Sequence, residues 1–260
     1  MKTVLITGGS SGIGLEMSRH WAKAGYRLFW VSISEKELLI AKEKIQNEIE
    51  GVEIDCLVKD LSLPESAQEV FNWATNFTSI EVLINNAGFG TYGFQQEINI
   101  EKELSMIKLH VLSFYKMTRL FLNDMLVRKK GTIINISSIA AFQPVARMNT
   151  YASTKAFVYQ FSRGLEEELR LQKSKVKVIT VCPAAIADTP FKNSINPIKT
   201  YHGLATTTAK EVGLDVWNGF QKGKTFIVSG RKMRILNSFK NILPYFFKQY
   251  LVRMETEESK

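Results

Sequence analysis

The chain has 260 residues, 45% hydrophobic and 23% charged, a balance that fits a folded globular protein and excludes disordered and fibrous architectures. No apolar run reaches the roughly 18 residues of a membrane-spanning helix, and Gly8-Gly9 ends the first run too soon for a secretory signal core. The net charge is +9, and between residues 216 and 254 there are eight basic side chains and no acidic one, so the excess lies near the C-terminus.

Apolar runs of strand length alternate with longer stretches of helical period. Residues 3–7 read as a strand and 13–24 as a helix; 27–32 as a strand and 35–50 as a charged helix. Residues 52–58 form a third strand, followed by a helix over 64–77 with Pro64 in its first turn. A strand over 81–85 precedes a long helix within 98–127. A strand over 131–137, a helix over 150–171, a strand over 176–181, a helix over 209–220 and a strand over 225–228 complete the series. This alternation predicts an α/β fold, a doubly wound parallel sheet of about seven strands with helices on both faces. The strands are nearly continuous apolar runs, as doubly covered strands should be.

We read one domain over residues 1–230 and a basic, amphipathic helical extension over 231–260. In the extension Leu236, Phe239, Leu243, Phe246 and Tyr250 recur at helical spacing beside Arg234, Lys240, Lys248 and Arg253, and Pro244 predicts a kink. Such a stripe packs on the body or on a second subunit in one reading, and lies on an anionic membrane surface in the other. No nucleic-acid recognition motif accompanies the charge.

The first strand runs into Thr7-Gly8-Gly9-Ser10-Ser11-Gly12-Ile13-Gly14 and then a helix. Glycines allow a tight turn and close backbone approach, and the helix N-terminus offers unpaired N–H groups to a phosphate. The spacing Gly-x3-Gly-x-Gly is neither the general dinucleotide fingerprint nor a P-loop. The alternative is a strand–helix turn without a ligand.

Four further motifs follow in order. Asn85-Asn86-Ala87-Gly88 ends strand four, Ile136-Ser137-Ser138 ends strand five, and Tyr151-Ala152-Ser153-Thr154-Lys155 opens the next helix; Cys182-Pro183 ends strand six, with Thr189 beyond. Tyr151 and Lys155 are four apart and share one helix face. A phenol titrates near about 10, and a nearby ammonium is expected to lower that value, making the pair a candidate general acid/base. Ser138, at the neighbouring strand end, is placed to stabilise charge on a substrate oxygen.

Together these motifs resemble the short-chain dehydrogenase/reductase family over residues 1 to about 228, which implies a Rossmann-type domain and an oxidoreductase using a nicotinamide cofactor. By that resemblance Tyr151 exchanges a proton with the carbonyl or alcohol oxygen, Lys155 tunes Tyr151 and holds the nicotinamide ribose, and Ser138 orients the substrate oxygen. The resemblance also assigns cofactor contacts to Gly8, Ser10, Ser11, Gly12, Ile13 and Gly14, to Asp60-Leu61, to Asn85, Ala87 and Gly88, and to Pro183, Ile186 and Thr189. Asp60 has a second reading as a cap for the loop before Pro64. The family's fourth catalytic residue, an Asn, is replaced by His110, which predicts an altered proton relay through a ring able to titrate near neutrality; the alternative is a core histidine. Ala184 replaces a common Gly, so the loop after strand six is expected to take a different path.

An acidic residue ending strand two would select NAD; Ser32 stands there, followed by Ile33. With Ser10, Ser11 and Lys36 nearby, NADP(H) is favoured, with NAD as the alternative. The segments around Phe89, Tyr92 and Phe94, and around Phe142, Val145 and Met148, are apolar and predict a lipophilic carbonyl or alcohol substrate. The family implies a homodimer or homotetramer through the Tyr151 helix. Cys56 and Cys182 form no disulfide or zinc spacing and point to the cytoplasm, with peripheral membrane contact through the extension as a second reading. The competing functions are an inactive cofactor-binding sensor or scaffold and a nucleotide-sugar epimerase.

Overall fold

The computed structural model describes residues 1–186, 188 and 206–230. The strands are β1 (Thr3–Thr7), β2 (Arg27–Ser32), β3 (Ile54–Val58), β4 (Val82–Asn85), β5 (Thr132–Ile136), β6 (Lys177–Pro183), β7 (Ala185–Ile186), β8 (Thr206–Thr207) and β9 (Phe226–Ser229). The helices are α1 (Gly12–Lys23), α2 (Glu35–Glu48), α3 (Ser66–Phe77), α4 (Ile100–Ile107), α5 (Phe114–Val127), α6 (Asn149–Leu171) and α7 (Ala209–Gln221). Seven strands form one parallel sheet in the order β3-β2-β1-β4-β5-β6-β9. It is the doubly wound α/β architecture of a Rossmann-type fold.

Period-two alternation along each strand feeds two cores. Val4, Ile6, Leu28, Trp30, Val82 and Ile84 face α1, α2 and α7, meeting Met17, Trp21, Leu38, Ile45 and Val212. Leu5, Phe29, Val31, Leu83 and Ile133 face the other way, onto Val70, Met117, Phe121 and Leu165 of α3, α5 and α6. A sheet buried on both faces needs apolar side chains at odd and even positions alike, hence the unbroken apolar runs.

The chain winds outward from β1 to β3, then returns to β4 beside β1. At this reversal the connections leave β1 and β4 in opposite directions and open a crevice at the carboxyl ends. The glycine turn and Asn85–Gly88 lie on its two lips.

Three features depart from the sequence reading. Helix α3 begins at Ser66 behind the N-cap Glu65, so Pro64 stands before the helix and not in its first turn. The helix expected within 98–127 is not uniform: between α4 and α5, Lys108–Ser113 widen into a π turn. Apolar periodicity does not register one extra residue per turn; within the widened turn His110 and Ser113 are buried. After β6, Ala184 donates its N–H to Ser229 O (3.3 Å), and Ala185–Ile186 then pair with Thr206–Thr207. That two-residue ladder carried no legible signal. Asp188 accepts from the Ala209 N–H (2.9 Å), and Thr208 and Glu211 form a capping box on α7. The extension over 231–260 lies outside the described residues.

Candidate active site

Gly14, in the first turn of α1, passes so close beneath the β1–α1 turn that a Cβ there would meet Gly8 O at 2.0 Å. The turn is held from three sides. Gly8 N–H donates to Val31 O (2.7 Å). The Asn86 amide donates to Thr7 O (2.9 Å) and Gly8 O (3.2 Å), while Thr7 Oγ1 accepts from the backbone N–H of Asn86 and Ala87. Trp30 Nε1 donates to Ser18 Oγ, which donates to Gly14 O. Ser11 is the N-cap of α1, and among the described residues its side chain makes no cap hydrogen bond, which leaves the first N–H groups of that helix without a side-chain cap. Gly12 and Ile13 form the first turn of α1.

At the end of β2, Ser32 Oγ accepts from Ser10 Oγ (3.1 Å), putting two hydroxyls together at one corner of the crevice. Ile33 beside them is exposed. Asp60 Oδ1 accepts from both the N–H and the hydroxyl of Ser62 (2.8 and 2.7 Å), so this oxygen organises its own loop. Leu61 is buried against the floor of the crevice.

Asn85 and Asn86 are adjacent but serve opposite faces. Asn85 Nδ2 donates to Thr118 Oγ1 (3.0 Å) and Asn135 Oδ1 (2.9 Å), and Asn135 passes the chain to Ser162 and Val158 O. This buried polar chain ties β4 and β5 to α5 and α6 beneath the site. Asn86, Thr7, Ser18 and Trp30 were not assigned roles from sequence; the places of Thr7 at the head of the glycine turn and of Asn86 within the Asn-Asn-Ala-Gly run could have flagged those two.

Ser138, Tyr151 and Lys155 converge at the ends of β5 and α6. Ser138 Oγ accepts from Ala140 N–H (3.1 Å) and is hydrogen-bonded to the Tyr151 side chain. Lys155 Nζ donates to Ile136 O (3.1 Å) and lies 5.9 Å from the Tyr151 ring centroid. Ser137 Oγ donates to Lys155 O (2.8 Å), fixing the helix against the strand.

The electrostatics correct the expectation of a lowered phenol. Burial pushes Tyr151 up to about 12, only partly offset by its Ser138 hydrogen bond, and burial brings Lys155 down to about 8. The two groups are desolvated together, and desolvation disfavours both charged forms. Tyr151 is therefore a phenol at neutral pH and Lys155 is mainly an ammonium.

His110 sits at the π turn with both ring nitrogens engaged. Thr154 Oγ1 donates to Tyr151 O (2.8 Å), so it accepts from His110 Nδ1–H (3.0 Å), and Nε2 accepts from Phe89 N–H (3.2 Å). Burial, helped by the Lys155 charge, holds the imidazole well below its ordinary value. A ring that titrates near neutrality is thus overturned: His110 is neutral, with one tautomer set by its partners. A Cβ on Gly88 would stand 2.6 Å from Nε2, so only glycine fits there.

Above Tyr151, Met106, Val145, Met148 and Ala152 form a small apolar cluster with Phe89, Tyr92 and Ala140. Phe142 turns away to pack edge-on against Tyr159 (5.3 Å), and Phe94 lies under the Arg147 guanidinium (4.7 Å). Pro183 and Ile186 border the crevice through β6 and β7, pairing with Ser229 and Thr207. Thr189 and the apolar side chains expected over 191–201 lie outside the described residues. Among the described residues no cluster of His, Cys, Asp or Glu could hold a metal, and no helix is long and apolar enough to cross a membrane.

Known proteins resemble this chain in sequence and fold. A very-long-chain 3-oxoacyl-CoA reductase of Anas platyrhynchos is 34% identical over 189 residues, 70% of this chain and 59% of the relative, so the chain spans less than two thirds of that protein's length. A short-chain dehydrogenase from Sphingobium yanoikuyae in complex with NADPH superposes with a TM-score of 0.79 at 28% identity, covering 88% of this chain and 87% of that one. The bulky-bulky ketone specific alcohol dehydrogenase from Comamonas testosteroni superposes with a TM-score of 0.76 at 27% identity, covering 93% and 92%. With a crevice at the β1/β4 reversal, a glycine turn beneath it and a family model for short chain dehydrogenases matching residues 2–199, the chain belongs to the short-chain dehydrogenase family.

Proposed function

We propose that the chain is an NADP(H)-linked oxidoreductase interconverting a lipophilic ketone and its secondary alcohol, within a single domain over residues 1–230. The observation that carries this reading is the buried Ser138–Tyr151–Lys155 group beneath an apolar cluster and beside the glycine turn.

The crevice suits a dinucleotide. The uncapped N-terminus of α1 would receive the pyrophosphate, and Ile13, Gly12 and Ser11 would meet it with backbone N–H groups. The Ser10–Ser32 pair would donate to a ribose 2′-phosphate where an acidic residue would repel it. Asp60, Leu61, Asn85, Ala87 and Gly88 would line the adenosine and ribose walls; Pro183, Ile186 and Thr189 would border the nicotinamide. When bound, the cofactor supplies the hydride.

In the reducing direction Tyr151 Oη gives its proton to the carbonyl oxygen, while the Ser138 hydroxyl donates a hydrogen bond to that oxygen. A phenol held near 12 is fully protonated at neutral pH and so starts as the acid. Lys155 places a positive charge beside the phenolate that forms. His110, already satisfied, fixes Thr154 and the Gly88–Phe89 backbone rather than moving a proton. The S. yanoikuyae relative was solved with NADPH, and the C. testosteroni relative is specific for bulky ketones; both support the cofactor and substrate class proposed. Exposed Leu112, Tyr115 and Phe157 on the π turn, α5 and α6 give a face for a homodimer or homotetramer.

The test follows loss of reduced-nicotinamide absorbance against ketones of graded chain length, with Tyr151→Phe as control. Turnover that rises with chain length and disappears in the variant supports the reading. Tight NADPH binding without turnover across the panel refutes it in favour of a cofactor-binding sensor.

A further inference from the structure

The strands of the parallel sheet all begin at one edge, and the cofactor crevice occupies the other. A second concavity, of about 260 Å³, opens at the beginning edge between the sheet and the C-terminal end of α7. Nothing in the proposed reaction uses it.

Period-two alternation explains its lining. Lys2, Lys130, Lys175 and Lys177 stand two or four residues before Val4, Ile134 and Ile179, which point into the core under α1 and α7. The same alternation, carried past the strand starts, puts all four lysine side chains on that face, where they line the concavity. Backbone bonds hold the starts in step: Arg27 N–H donates to Lys2 O (2.9 Å), Thr132 N–H to Glu81 O (2.9 Å) and Lys177 N–H to Gly131 O (3.1 Å).

The charges are unequally committed. Glu81, the one carboxylate on the lining, pairs with Lys130 (2.5 Å). Among the described residues Lys2, Lys175 and Lys177 form no ion pair. Lys2 Nζ lies 5.7 Å from the Tyr26 ring centroid, and Lys177 Nζ reaches to 3.6 Å from where a Cβ on Gly223 would stand. Tyr26 is 8% exposed, yet its hydroxyl makes no hydrogen bond among the described residues. Burial, helped by the Glu81 charge, pushes that phenol up, so it remains a donor. Val82, Ile179 and Phe220 supply an apolar floor.

Four ammonium groups against one carboxylate leave three positive charges. The carbonyl ends of α1 and α7, about half a negative charge each, reduce this to about two. A single exposed lysine holds an anion weakly. Charges of one sign around a concavity with apolar walls act together, because such walls focus the field.

We propose that this concavity binds a dianionic phosphate group at the edge of the sheet opposite the cofactor crevice. Lys2, Lys175 and Lys177 supply the charge, the Tyr26 hydroxyl donates a hydrogen bond, and Glu81 stays with Lys130. The volume lies just under the roughly 300–1,000 Å³ of pockets for drug-sized ligands, so the ligand is free phosphate or a small phosphate monoester. The site does not depend on the oxidoreductase reading.

Calorimetric titration of the full chain at low salt and mildly alkaline pH, with and without saturating NADPH, tests this. The probes are inorganic phosphate, phenyl phosphate and the monoanion phenyl sulfate. Phosphate should bind whether or not NADPH is present, and phenyl sulfate at least about fivefold more weakly than phenyl phosphate, one charge replacing two. Phenyl phosphate binding more tightly than inorganic phosphate identifies an ester as the ligand; equal or reversed affinities identify the free anion. The double variant Lys175→Gln/Lys177→Gln should weaken phosphate by about tenfold, and Tyr26→Phe by about threefold. Both lysines are exposed, so the double variant should keep the wild-type midpoint in urea. Binding that NADPH abolishes, or that the lysine variant leaves unchanged, overturns the proposal. So does phenyl sulfate binding as tightly as phenyl phosphate, or no phosphate binding at millimolar concentration.

Discussion

Lys155→Met should stabilise the fold at pH 7 while removing activity. The ammonium is buried, and its titration falls from 10.5 to about 8. That drop is worth on the order of 3 kcal/mol, the cost of keeping the charge inside rather than in water. Methionine keeps most of the volume without the charge. The change also strips Ile136 O of its 3.1 Å partner, which costs about 1 kcal/mol. The net gain is therefore about 2 kcal/mol, or roughly 4–8 °C in Tm for a domain of this size. The pH dependence gives the sign. The unfolded lysine holds its proton up to about 10.5 and the folded one loses it near 8, so wild-type stability rises between those values. The variant's advantage is full below about pH 8 and shrinks by about 2 kcal/mol on going to roughly pH 9.5. Urea unfolding of both proteins at the two pH values measures it. A methionine variant less stable than wild type at pH 7, by an amount that does not change with pH, would refute the claim that burial of charge dominates at this residue.

Two further outcomes are expected. Gly14→Ala places a methyl 2.0 Å from Gly8 O, so it should cost about 1–3 kcal/mol in unfolding and raise the NADPH dissociation constant at least about tenfold; an unchanged constant by fluorescence titration would mean the turn does not bind the cofactor. Ser32→Asp puts a carboxylate beside Ser10 at the ribose corner, so NADPH affinity should fall by about tenfold or more while NADH affinity rises, in the same titration. Equal losses for both cofactors would place the 2′-phosphate elsewhere.

The fold was legible because its signals are local. Alternating apolar runs and helical periods stated the element order, and their doubly buried strands implied layers on both faces. The glycine turn, the Tyr-x3-Lys spacing and the strand-end positions of Asn85 and Ser138 were equally local, so candidates for the site could be named from sequence. Neighbouring letters carried less about roles. Nothing in Asn85-Asn86 says that the first stiffens the sheet while the second ties down the glycine turn; strand alternation sends them to opposite faces, and the partners arrive from residues 7–8 and 118–135.

The charge states were also beyond sequence reasoning. A lysine four residues from a tyrosine predicts a lowered phenol, yet burial lifts Tyr151 and depresses Lys155, because solvent exclusion acts on each group through everything packed around it. His110 follows the same rule: as a letter it is a neutral-pH titrator, but in place its two nitrogens meet Thr154 and Phe89, and it stays neutral. The π turn that carries it departs from the α period, and the apolar spacing of the segment does not register that departure. Spacing along the chain thus settled which residues share a helix face or a strand end, since that depends on backbone geometry alone. Which of them hold charge, which are spent on structure and which remain free for chemistry depended on contacts between segments far apart in the chain, and only the assembled fold decided it.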